Sequence, residues 1–382
     1  MVTVQKIQMV DLKTQYEKIK SEVDKGIQDV IDNTAFINGP AVKEFQKDLE
    51  AYLNVKHVIP CANGTDALQI AMMALGLKAG DEVITANFTY VATAEVIGLL
   101  GLVPVLVDVN EGTFDINIEA IEKNITPKTK AIVPVHLYGQ CCNMEAIMAM
   151  AKKHNLFVIE DVAQALGADY KFSDGSKKKA GTIGTVGCTS FFPSKNLGCF
   201  GDGGAIYTND DNLAAQLRMI AHHGQSKQYI HDVVGVNSRL DTIQAAVLKV
   251  KLKYLDSYAS ARNKAAEFYD KAFANHPKIK TPERSIHSDH VFHQYTLTLK
   301  GVDREKLREF LASKNIPSMI YYPIPLHMQN AYKSDRYKAG DFPVTEKLCA
   351  NVISLPMHTE LSEETLKYIT DSVLEFCNKN NL

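Results

Sequence analysis

A lysine that is to attack an aldehyde must react as the free amine, and burial or a nearby cation is what brings its proton off near neutral pH. Lys195 stands where this can happen. It lies in Thr189-Ser190-Phe191-Phe192-Pro193-Ser194-Lys195-Asn196-Leu197-Gly198, a stretch poor in other charge, and Gly201-Asp202-Gly203-Gly204 follows it. The proline stiffens the approach, and the glycines let backbone come close. A lone lysine is more often a solvated surface residue, so the context carries this assignment.

Three further segments supply complementary chemistry. Val158-Ile159-Glu160-Asp161-Val162-Ala163-Gln164 puts Asp161 at the carboxyl end of an apolar run, with Gln164 three residues on. A carboxylate there can pair with a protonated ring nitrogen, gaining about 4 kcal/mol at ~4 Å and an effective dielectric of ~20 before desolvation. An N-cap for the next helix would look the same. Asn63-Gly64-Thr65-Asp66 opens a helical stretch, where free backbone N–H groups and the hydroxyl of Thr65 can receive a phosphate. An ordinary N-cap again fits the same residues. Phe88-Thr89-Tyr90 follows another apolar run and offers the face of Tyr90 to a flat ring, core packing being the alternative.

These residues need a scaffold that gathers strand ends. Short apolar runs at Glu82–Thr85, Val103–Val107, Ala131–Val135 and Leu156–Glu160 alternate with helical stretches such as Thr93–Leu100 and Met144–His154. The alternation predicts an α/β fold, a mostly parallel sheet flanked by helices, whose ligands collect beyond the strands' carboxyl ends. A nearly unbroken helical pattern from Ser238 to about Phe273 leads into a strand-like run at Tyr295–Leu299 and helices at Asp303–Lys314 and Glu363–Cys377. The expected division is a large domain with an N-terminal arm over residues 1–255 and a small α+β domain over 256–382.

Bulk properties narrow the function classes. With 382 residues, two cores are expected. Lys+Arg 42 against Asp+Glu 44 leaves no basic surplus for nucleic acid. The seven cysteines lack C-x-x-C spacing, which argues against zinc or a disulfide framework and for free thiols in a reducing cytoplasm. No apolar run approaches membrane-spanning length. No strand feeds a G-x-G-x-x-G turn, so a nicotinamide dehydrogenase is disfavoured.

A carbonyl-capturing amine, an acid for a ring nitrogen, a stacking face and a phosphate cradle together match what pyridoxal 5'-phosphate asks of a protein. At this point the chain resembles the DegT-type sugar-nucleotide aminotransferases of PLP fold type I. The match rests on Cys61-Ala62-Asn63-Gly64-Thr65-Asp66-Ala67-Leu68, Glu160–Gln164, Phe192–Gly198, Gly235-Val236-Asn237-Ser238-Arg239-Leu240-Asp241 and Tyr322-Pro323-Ile324-Pro325-Leu326-His327. The resemblance implies that Lys195 carries the cofactor as a Schiff base and shuttles the proton, and that Asp161 holds the ring nitrogen protonated. Gln164 would bind the ring hydroxyl and Tyr90 would stack. Gly64, Thr65 and Ser190 would hold the phosphate, with Asn237 arriving from the second subunit of a homodimer. It implies L-glutamate as donor and a sugar nucleotide as acceptor.

Within the family, the Ser194–Gly204 stretch is most similar to the branch acting on UDP-linked 3-oxo-N-acetylglucosamine uronates. Phe36, Ser194, Arg239, Tyr321, Tyr322 and His327 are then the expected substrate-binding residues. Arg239 suits the uronate carboxylate, because a guanidinium binds it bidentately; a structural pair with Asp241 or another acid is the alternative. Two positions depart from the branch. Tyr321 stands where histidine precedes the Tyr-Pro, and Phe36 stands where a tyrosine would offer a hydroxyl. The neutral UDP-3-oxo-N-acetylglucosamine or a dTDP-3-oxo-6-deoxyhexose stays open, as does a non-catalytic regulatory protein of the same fold.

Overall fold

Seven short strands form the central sheet of the computed structural model, which describes residues 7–379. They are β1 (His57–Cys61), β2 (Glu82–Ala86), β3 (Val103–Val107), β4 (Thr129–Val133), β5 (Phe157–Asp161), β6 (Val186–Ser190) and β7 (Gly204–Thr208). Their order is β1-β7-β6-β5-β4-β2-β3, and β7 alone runs antiparallel to its neighbours. The sheet is therefore mostly parallel, as the alternation of runs predicts. Strand β2 is buried along its whole length and β5 from Val158 onward because helices cover both faces, which is why they read as runs rather than alternating patterns. Pro60 sits in β1, and that strand lies at the sheet's edge, where a missing N–H breaks no ladder.

The expected single helix after Ser238 is two helices, Thr242–Leu252 and Leu255–Phe273. Tightened turns, with Lys253 N donating to Val250 O and Tyr254 N to Lys251 O, separate them. Leu252 and Leu255 still pack into the first core, whereas Ala265, Ala266, Tyr269 and Phe273 belong to a second one. The break thus marks where the chain leaves one core for the other, with no glycine or proline to announce it. The second core is built on a three-stranded antiparallel sheet that includes Tyr295–Leu299 and Val352–Leu355, backed by Arg304–Ser313 and Glu363–Lys379. All seven cysteines are buried and unpaired. Among the described residues no helix is long and apolar enough to cross a membrane.

A buried charge fixes the centre of the sheet. Glu160 accepts hydrogen bonds from Gly181 N and Ile183 N at 2.8 Å each, and pairs with His136 Nε2 at 2.9 Å. Cys142 N donates to His136 Nδ1, so the Nε2 proton is the one given to Glu160. Neither side chain reaches solvent. Glu160→Gln would turn one accepting oxygen into a donor facing N–H groups. The expected cost is about 3 kcal/mol, read as a lower thermal unfolding midpoint; an unchanged midpoint would mean the knot is dispensable.

Candidate active site

The ends of β1, β2, β5 and β6 open into one cavity of about 550 Å³. Its wall contains Gly64, Thr65, Tyr90, Asp161, Gln164, Ser190, Ser194, Lys195, Tyr321 and Tyr322, all expected from the sequence.

The phosphate cradle is set by close backbone approach. Asn63 caps the helix Gly64–Ala74, its side chain accepting from Asp66 N at 2.8 Å. A Cβ on Gly64 would lie 2.6 Å from Ser190 Cβ, and one on Gly204 would lie 2.4 Å from the Asn63 carbonyl. Only glycine lets the helix start, the end of β6 and the start of β7 come this near. Ser238 fastens the arrangement by donating to Asp66 Oδ2 at 2.6 Å while accepting from Ala62 N. The first N–H groups of the helix and the hydroxyls of Thr65 and Ser190 thus border one corner, which suits a phosphate.

Asp161 is buried, and its carboxylate is oriented by two donors the sequence did not disclose. Thr93 Oγ1 donates to Oδ2 at 2.9 Å, and Ala163 N donates to Oδ1 at 3.1 Å. Gln164 bridges the cavity floor to the far wall, accepting from Tyr138 N at 2.7 Å and donating to Tyr322 Oη at 3.1 Å. The rings of Tyr90 and Tyr322 are neighbours, tilted at 44° with centroids 6.2 Å apart. His293 and Gln294 also line the wall, and sequence reasoning singled out neither.

Four expected residues lie elsewhere. Phe36, Asn237, Arg239 and His327 are not in this wall. Phe36 and Asn237 are exposed, and the Phe36 carbonyl accepts from Thr242 N. Arg239 has no ion-pair partner among the described residues, so the alternative of a structural pair with Asp241 is not realised. His327 is buried: its Nδ1 meets Asn87 Nδ2 at 2.7 Å and its backbone N–H reaches Asn87 Oδ1 at 3.0 Å. The ring ties the Tyr321–Tyr322 segment to the turn bearing Tyr90 and stands in this chain as a strut.

Burial pushes the Lys195 amine down to about 8, with the charge of Asp161 opposing the shift. Capture of pyridoxal phosphate by the cofactor-free protein should therefore quicken with rising pH and level off above about 8, following the neutral amine. Visible absorbance reads it. Lys195→Ala should give none of this signal while staying folded; a wild-type rate independent of pH between 6 and 9 would contradict the assignment.

The chain matches the model of the DegT/DnrJ/EryC1/StrS aminotransferase family over residues 17–374. It is 47% identical over 363 residues, 95% of this chain and 98% of the other, to UDP-2-acetamido-2-deoxy-3-oxo-D-glucuronate aminotransferase from Pseudomonas aeruginosa. It is 46% identical over 372 residues, 97% and 98% of the two chains, to a "pleiotropic regulatory protein" from Geobacillus stearothermophilus. Among solved structures, DesV of S. venezuelae in complex with a ketimine intermediate superposes with a TM-score of 0.93 at 37% identity, covering 98% of this chain and 99% of that one. The cavity answers to the family's cofactor at each point, with a cradle only glycine allows, an oriented acid and a desolvated amine. The protein belongs to the DegT/DnrJ/EryC1/StrS aminotransferases and is a pyridoxal phosphate-dependent transaminase.

Proposed function

We propose that the enzyme moves the amino group of L-glutamate to C3 of a 3-oxo sugar nucleotide, UDP-2-acetamido-2-deoxy-3-oxo-glucuronate, in surface polysaccharide biosynthesis. The observation that carries this reading is the placing of Lys195 and Asp161 at one cavity beside a phosphate cradle, in a chain nearly half identical to a transaminase named for that sugar.

Bound pyridoxal phosphate supplies a carbonyl to trade for an amine and a ring that takes up the electrons freed at the substrate carbon. Asp161, held by Thr93 and Ala163 N, presents a carboxylate to the ring nitrogen. Gln164 and Tyr90 line the same wall, where they would meet the ring hydroxyl and one face of the ring. Lys195 would hold the cofactor through its carbonyl carbon and, once released as a free base, would move the proton between the reacting carbons. Desolvation favours this work because it keeps the neutral amine accessible near pH 8.

A carboxylate on the sugar needs a cation. Lys195 is occupied by the chemistry, and the cavity wall contains no arginine. Arg239 has no ion-pair partner among the described residues and lies outside its own cavity, which suits a guanidinium delivered to a second copy's site. Asn237 is exposed beside it, and the preceding segment leaves Tyr229 and Val234 each 85% exposed, an apolar surface fit for a homodimer contact. The absence of a hydroxyl at Phe36 and the tyrosine at 321 favour, as a second reading, the same transfer to a neutral sugar. A regulatory role without catalysis is disfavoured by the intact lysine, acid and cradle.

Incubation with glutamate and a panel of uronate and neutral 3-oxo sugar nucleotides, read by product mass, tests the substrate. On the uronate, Arg239→Ala should lower kcat/KM roughly tenfold or more beyond its effect on a neutral sugar, the worth of a charged hydrogen bond; equal losses would remove the carboxylate role. Sharing of sites between subunits has its own test. Inactive Lys195→Ala and Asn237→Ala chains, mixed and refolded together, should regain roughly a quarter of wild-type turnover, since half the dimers then hold one intact site. No recovery would argue that each chain completes its own site.

A further inference from the structure

His293 is built into the cavity at evident cost. Its side chain is 7% exposed, it lines the same wall as Lys195, and its Nδ1 has no hydrogen-bond partner among the described residues. An unpaired buried polar atom costs about 1–3 kcal/mol. The preceding residue, Phe292, takes a φ of 44°, a left-handed conformation that a bulky side chain rarely adopts and that costs a similar amount. Buried Arg262 holds this backbone, its Nη1 donating to the carbonyls of Phe292, His293 and Met357 at 3.1, 3.2 and 3.0 Å. Gly139 admits it: a Cβ there would lie 3.0 Å from the amide nitrogens of both Phe292 and His293.

The ring is also kept uncharged. Burial, then the charges of Lys195 and Arg262, hold the imidazole well below its ordinary range. A neutral imidazole offers one N–H and one lone pair. Two more unpaired polar atoms belong to the same wall, Thr89 Oγ1 and Gln294 Oε1. The wall thus gathers three uncharged hydrogen-bonding side chains. Glutamate's carboxylates ask for cations, whereas sugar hydroxyls and an acetamido group ask for neutral donors and acceptors.

We infer that His293 is a substrate-contacting residue that hydrogen-bonds an uncharged polar group of the sugar, acting in the half of the reaction that delivers the amine and not in the half that takes it from glutamate. This assignment rests on the proposed sugar-nucleotide reaction.

Each half can be followed separately in single turnovers through the colour change of the holoenzyme. For His293→Phe, the sugar half should slow at least tenfold while the glutamate half stays within threefold (a lost hydrogen bond of ordinary strength). Cofactor absorbance should match wild type, the thermal midpoint should be no lower than wild type, and His293→Asn should recover part of the loss. Equal slowing of both halves, or of neither, would overturn the inference. So would loss of cofactor or of thermal stability in both variants, which would assign the ring to packing alone. A wild-type enzyme that takes the amine from glutamate and delivers it to no sugar nucleotide would instead defeat the parent reading, and this one with it.

Discussion

Glu160 precedes the acid of the active site by one residue, and its side chain ends in a region no water reaches. An isolated carboxylate there would be intolerable. It is accepted because His136 and the amides of the 181–184 turn converge on its two oxygens. That convergence ties β5 to the chain leaving β4 and to the turn entering β6. The next residue is then fixed from both sides, Asp161 N donating to Pro134 O and its carbonyl accepting from His136 N. Strand alternation sends Asp161 away from the knot and toward the cavity. The direction of Asp161 is thus set by a second acid, Glu160, that is buried away from the cavity.

The same logic governs the phosphate corner. Sheet order brings the ends of β1 and β6 together only because β7 runs backward between them, with Gly204 opposite both Cys61 and Ser190. A side chain at Gly64 or Gly204 would push the corner apart. The cradle is therefore a property of sheet topology as much as of the helix start.

What could be read in advance was local. A capped glycine at a helix start, an acid closing an apolar run and a lysine beyond the next strand each sit within a few residues of their own signal. What escaped was set by distant partners. Thr93 meets Asp161 across 68 positions, and His327 looked like a ligand until Asn87, 240 positions away, engaged its ring and backbone. His293 has no helix cap, motif or periodicity to mark it, since its place is decided by Arg262 and Gly139. The break between Leu252 and Leu255 was invisible for the same reason, because packing into two cores and not a breaker residue bends the chain there.

Charge is distributed in the cavity with a consistent sense. Around the Lys195 amine, the wall holds one lysine, two acids (Asp161, held by donors, and Asp202) and a set of neutral polar groups, while Arg239, without an ion-pair partner among the described residues, stays outside its own wall. A second fixed cation beside Lys195 would depress its proton affinity further, and one beside Asp161 would compete with the ring nitrogen for the carboxylate. Keeping the Arg239 guanidinium on a separate surface avoids both. If, as proposed, a second copy brings it to the site, an anionic substrate would be met without disturbing the Lys195 amine. The neutral ring of His293 follows the same rule from inside, since it adds hydrogen-bonding capacity next to Lys195 and no charge.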